Sequence, residues 1–247
     1  MSRILPVGSL AAAVALAGFA AWPAQADRHY RNTLDENGRP LATSWTETGR
    51  FDALTATGMD DVRLVSGPGW RIRATGDGRA VAQLRFMIED GALIVGRVTQ
   101  PRERYGKATI EVTAPSLRAV TSAGSGAVRV DRIGGARASA TVAGSGSTTV
   151  RQVDAQRLSA TVAGSGGLDL SGRSERAEVT VAGSGRLAGS QFTAASAAVT
   201  VAGSGNASFR SPGAVRATIV GSGTVHVAGT TNCEQTRMGS GRLICTR

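Results

Sequence analysis

Ala160-Thr161-Val162-Ala163-Gly164-Ser165-Gly166 recurs with few changes along the second half of this 247-residue chain. Its Gly-Ser-Gly end begins at Gly124, Gly144, Gly164, Gly183, Gly203, Gly221 and Gly239, so the period is 18 to 20 residues. A unit this short cannot enclose a core by itself. Its apolar face must be buried on the next copy, which makes the chain a stack of coils.

Aligned on the first glycine, the position three before it is threonine in every copy: Thr121, Thr141, Thr161, Thr180, Thr200, Thr218 and Thr236. On either side stand small aliphatics, Ala140 and Val142, Ala160 and Val162, Val179 and Val181, Val199 and Val201, Ala217 and Ile219. This alternation is that of a strand with one face inside. After the glycines a second alternation follows, with Val128 and Val130, Thr148 and Val150, Leu168 and Leu170, Val225 and Val227 as inward positions. Arg129, Thr149, Asp169 and His226 lie between them and face water. Each coil thus reads as strand, glycine corner, second strand and a variable polar return. At about 4.8 Å per rung, seven coils make a rod of roughly 34 Å. The expected class is all-β, a right-handed parallel β-helix (β-solenoid) of about 20 residues per coil.

Upstream, residues 61–65, 70–74, 93–98 and 108–113 alternate as strands, and Gly67-Pro68-Gly69, Gly76-Asp77-Gly78 and Asp90-Gly91 supply turns. Residues 50–119 are expected to form irregular N-terminal coils and a cap, closed by Trp70, Leu84 and Phe86. Residues 120–247 are the regular coils. Residues 27–49 are polar and rich in turn formers, and are expected to be a flexible leader in which Trp45 can dock.

Residues 1–26 read as a signal peptide: Arg3, an apolar run from Leu10 to Ala21, and Ala24-Gln25-Ala26 before Asp27. The run is short for a membrane span. No later segment is apolar enough to cross a membrane as a helix, and no cysteine follows the cleavage site as a lipid anchor would need. Export to the periplasm, the cell surface or the medium is expected. The two cysteines, Cys233 and Cys245, fall in the last coil, where an oxidising compartment favours a disulfide that clamps the chain end. They lack the spacing of a redox pair, and no histidines accompany them as a metal site requires.

The formal net charge is +10, and cleavage removes only Arg3, leaving +9. Such a surface attracts polyanions, although solubility alone is also served by it. One feature is sharper. Arg137, Arg157 and Arg176 each stand seven residues before a corner, with Arg118 and Arg216 near that register. Stacked guanidiniums repel unless an anion or acidic side chains lie among them. The column is therefore the candidate site for an anionic glycan or another envelope polyanion, against a solvated face with Glu175 and Glu178 nearby. Nothing here indicates specific nucleic-acid binding.

Catalysis by a glycan lyase or hydrolase needs carboxylates gathered on one face. Asp131, Asp154 and Asp169 stand seven, ten and five residues after their corners, so stacking scatters them. His29 and His226 are isolated. No catalytic, metal or cofactor residues are expected. A non-enzymatic binding or structural protein is the favoured reading, with a glycan-active enzyme or a self-assembling scaffold as alternatives. The oligomeric state stays open between a monomer and copies stacked end to end or side by side.

Arg50-Phe51-Asp52-Ala53-Leu54, residues 62–74, Asp90-Gly91-Ala92-Leu93-Ile94-Val95 and the Val-Thr-Val-Ala-Gly-Ser-Gly coils together resemble the head GIN domain family, described as auto-transporter adhesins. The resemblance covers Arg50 to the C-terminus. It implies an exported bacterial β-helix with an adhesive or scaffolding role and no catalytic residues to carry over. The chain departs from an auto-transporter in showing no translocator barrel segments.

Overall fold

Inward aliphatics placed every second residue demand a partner on both flanks, and the chain supplies it by winding around one tube. In the computed structural model, which describes residues 34–98 and 106–247, a single continuous sheet wraps a shared core. The expected signal peptide lies outside the described residues. The N-terminal part contains β1 (Arg39–Pro40), β2 (Thr46–Glu47), β3 (Ala53–Gly58), β4 (Asp61–Ser66), β5 (Arg71–Gly76), helix α1 (Gly78–Ala82), β6 (Leu84–Glu89), β7 (Ala92–Arg97), β8 (Ala108–Ala114) and β9 (Ala119–Gly124). The regular coils follow as β10 (Ala127–Gly144), β11 (Ser147–Gly164), β12 (Gly167–Gly183) and β13 (Arg186–Gly203). The last coils are β14 (Asn206–Arg210), β15 (Val215–Gly221), β16 (Thr224–Ala228), β17 (Cys233–Met238) and β18 (Arg242–Thr246).

From β9 onwards every pairing is parallel and joins one coil to the next. Thr121, Thr141, Thr161, Thr180, Thr200, Thr218 and Thr236 form one continuous column in register. The protein is a parallel β-solenoid of about six turns, about 20 residues apart. The inward positions read from the sequence are the core: Val142, Val162, Val181, Val201 and Ile219 are all fully buried. Coils of unequal length stay aligned because the difference is absorbed at bulges, between Val150 and Val153 and between Asp169 and Ser171, in the variable return.

The corners explain the glycines. Gly164 has φ +113, and a Cβ there would lie 2.6 Å from the Gly144 carbonyl oxygen of the coil beneath. That oxygen accepts from the N–H groups of both Ser165 and Gly166, at 3.0 and 2.9 Å. Only a residue without a side chain lets backbones approach this closely.

Gly58-Met59-Asp60 forms one more corner without the repeat's letters. Gly58 pairs with Gly124, and its carbonyl receives the N–H groups of Ser125 and Gly126 in the same way. Asp60 is buried there and accepts from the Ala108 N–H at 2.8 Å and from the Arg97 guanidinium. The hydrogen bond to Asp60 holds the Arg97 pKa above its ordinary value.

The N-terminal part mixes directions. β3 pairs in parallel with β7 and β9, and β4 with β8 and β10. β5 lies antiparallel on β8 and β6 antiparallel on β7. Between β5 and β6 the sequence suggests only a turn, and the chain forms α1. Asp77 caps it by accepting from the Ala80 N–H at 2.9 Å, which holds the carboxyl below its usual pKa. Ala80 and Val81 then close the core together with Leu84 and Phe86. Trp70 packs against that core and donates its indole N–H to the Phe51 carbonyl at 3.0 Å.

Of the segment expected as a flexible leader, residues 34–49 are folded onto this cap. β1 pairs with β6 and β2 with β5, while Leu34, Leu41 and Thr48 are buried. The physical reason is that antiparallel β5 and β6 leave open edges, which these two short strands cover. Trp45 remains 41% exposed, with the Arg73 guanidinium 4.7 Å and that of Arg71 5.6 Å from its ring.

Candidate functional site

In β10 to β13 the residue seven ahead of the corner stands just before the buried Ala or Leu that starts the inward alternation, and its side chain points outwards. In β10, β11 and β12 this residue is Arg137, Arg157 and Arg176, and the three are direct register partners. All three are exposed. One rung further the column continues as Ser196, whose hydroxyl donates to the Glu175 carbonyl at 3.5 Å. The arginines rim a groove of about 550 Å³ that runs along the coils past Ala198 and Ala214 to Arg216.

Arg118 and Arg216 do not join this ladder. Arg118 lies one position nearer its corner and forms an ion pair with Asp52 at 2.7 Å. Arg216 is two positions nearer, in the column of Glu178 and Ala198, and pairs with Glu234 at 2.8 Å. Other coil arginines are neutralised similarly, Arg151 by Asp131 at 3.5 Å and Arg173 by Asp154 at 3.2 Å. Among the described residues, Arg137, Arg157 and Arg176 make no ion pair, and neither do Glu175 and Glu178 beside them.

Guanidiniums carried on adjacent rungs repel one another, weakly in water-like surroundings. Glu175 and Glu178 line the same groove and offset part of that repulsion without pairing, so the ladder keeps a local excess of positive charge, with donors spread in planar forks. Chemically it can bind carboxylate or phosphate oxygens bidentately.

The carboxylates are dispersed. Asp131 and Asp154 are held by arginines of the following coil, and Asp169 lies in another column between Thr149 and Ala188. His226 is exposed, between Ser208 and Ile244. Among the described residues no group of three or more potential ligands could hold a metal ion. No helix among them is long and apolar enough to cross a membrane. Cys233 and Cys245 are joined by a disulfide that links β17 to β18. They continue the inward columns of Val215 and Val227, so the bridge lies over the end of the core.

Two features of the site escape sequence reasoning. The groove beyond Arg176 arises from small side chains at Ser196, Ala198 and Ala214, which carry no signal individually. The ion pairs of Arg118 and Arg216 join residues far apart in the chain or in different coils. An offset from the seven-residue register is the one hint of their different role.

Comparison with solved structures finds the same fold in other bacterial proteins. A "putative adhesin" from Bacteroides fragilis NCTC 9343 superposes with a TM-score of 0.74 at 17% identity, covering 83% of this chain and 95% of its own. A "putative lipid binding protein" from Parabacteroides distasonis ATCC 8503 gives 0.68 at 23% identity, covering 85% and 98%. A "putative adhesin" from Parabacteroides merdae ATCC 43184 gives 0.67 at 20% identity, with the same coverage. A comparison with curated proteins finds no match. A family model described as "Putative auto-transporter adhesin, head GIN domain" matches residues 50–231, most of the solenoid, and the chain belongs to that family.

Proposed function

We propose that this protein is an exported, non-catalytic binding module of the cell envelope, and that Arg137, Arg157 and Arg176 hold an anionic glycan or another envelope polyanion. The observation that carries the reading is the ladder itself, three exposed guanidiniums in successive rungs that make no ion pair among the described residues and outnumber the two glutamates, Glu175 and Glu178, beside them. The adhesin description of the family agrees with a binding role. Export is supported by the signal-like residues at the chain start and by the oxidised cysteine pair. The lipid-binding name of one structural relative fits the same chemistry, since an anionic headgroup presents the same oxygens.

Titration of the full chain with an acidic polysaccharide such as polygalacturonate tests this. Binding is expected at low salt and should weaken by about tenfold or more as salt shortens the screening length. Replacement of Arg137, Arg157 and Arg176 together by serine should abolish it while the far-UV spectrum stays unchanged. Binding indifferent both to salt and to these substitutions overturns the proposal.

A further inference from the structure

The ladder is not merely positive; it is ruled. Arg137 faces Arg157 and Arg157 faces Arg176 as register partners of parallel strands, so the charges repeat once per rung along the solenoid axis. Parallel neighbours lie about 4.8 Å apart. The coil that leads to Arg176 is one residue shorter than the one before it. The bulge between Val150 and Val153 takes up that difference ahead of the ladder, which restores the alignment of Arg157 with Arg176. The run then ends abruptly. The next two positions of the groove wall are Ser196 and Ala214, and the following cation, Arg216, is already neutralised by Glu234.

Resting on the proposed polyanion reading, we infer that the groove takes an extended, linear polycarboxylate glycan lying parallel to the solenoid axis. Three consecutive acidic sugars sit one per rung on Arg176, Arg157 and Arg137, and the chain continues over Ser196 and Ala214 without need of charge. The rung spacing is close to the length of one pyranose residue in an extended chain, so a polymer with one carboxylate per sugar has the axial repeat of the arginines when it is bound with its carboxylates turned to one face. Each guanidinium can then meet its own carboxylate through two parallel N–H···O bonds. Duplex nucleic acid does not keep this step, with charges about 3.4 Å apart along each strand. Single strands need aromatic platforms for their bases. The groove lining contains no aromatic residue, and the exposed Trp45 belongs to the N-terminal cap.

The test is calorimetric titration of the full chain with galacturonate oligomers of one to six residues. Affinity should rise steeply to the trimer, by about tenfold at each added residue, and then by less than about twofold per residue. Arg157→Ser, which splits the ladder in the middle, should remove the gain from monomer to dimer and keep a gain from dimer to trimer, because only a trimer then reaches both Arg137 and Arg176. Replacing all three by lysine, which keeps the charge and loses the forks, should weaken the trimer by about tenfold. If polygalacturonate binds but affinity climbs evenly through the hexamer, or lysine restores it fully, the one-per-rung arrangement is wrong and the polyanion reading stands. If no acidic glycan of any length binds, both fall.

Discussion

Gly164 shows how much one residue carries in a stacked fold. Its φ of +113 belongs to glycine, and its missing side chain makes room for the Gly144 carbonyl below, whose oxygen in turn takes two N–H donors from above. Gly164→Ala combines backbone strain with a backbone clash that no side-chain rotation relieves. We expect a loss of at least about 2 kcal/mol, measured by denaturant unfolding. Alanine at the exposed Ser165 should change stability by less than about 0.5 kcal/mol. The glycine column was legible because identical letters recur at a fixed period. Asp60 was not legible, although it occupies the same corner in the first turn. It carries a side chain because that carboxylate replaces a neighbouring corner with contacts to Arg97 and the Ala108 N–H. The same distinction separates the arginines. Arg137, Arg157 and Arg176 could be read as a column from spacing alone, whereas the partners of Arg118 and Arg216 depend on contacts between distant residues.

At the scale of elements, the coils after β9 follow their sequence alternation closely, because each inward position has one invariant environment. The cap departs from it. Its strands β5 and β6 run against their neighbours, and α1 crosses between them on the strength of one capping aspartate and two buried residues. No repeated pattern announces such one-off solutions. The C-terminal coil is the converse case, with an end predictable from two cysteines but a chemistry visible only in the fold. Above Ala217 and Ile219 the inward columns end in Gln235 and Arg237, beside the disulfide. Polar residues at inward positions are a recognised defence of an open sheet edge. With those aliphatic contacts gone, the cross-link between residues 12 apart does the closing. Replacing both cysteines by serine should cost about 3 kcal/mol, the value for a loop of this length. Hydrogen exchange should show faster opening of β17 and β18, with β11 and β12 unaffected.

For the whole molecule, each coil touches little beyond the coils next to it, so stability is approximately a sum of coil and interface contributions. Removing residues 145–164 joins Gly144 to Ser165 and regenerates a Gly-Ser-Gly corner in register. The shortened chain should remain folded with a single cooperative transition, at a denaturant midpoint lower than that of the parent. It also loses Arg157, which brings Arg137 and Arg176 onto adjacent rungs. A shortened protein that is unfolded or aggregated would show that the solenoid is not modular.

The disulfide has a mechanical side as well. The hydrogen bonds between coils run along the axis of the rod, so tension applied through the C-terminus would peel rungs off one after another, as a zipper opens. The Cys233–Cys245 cross-link closes the outermost loop against that pull, and residues 234–244 between the two cysteines cannot be drawn out while it is intact. A tether fixed at this end would therefore hold firmest in oxidising surroundings.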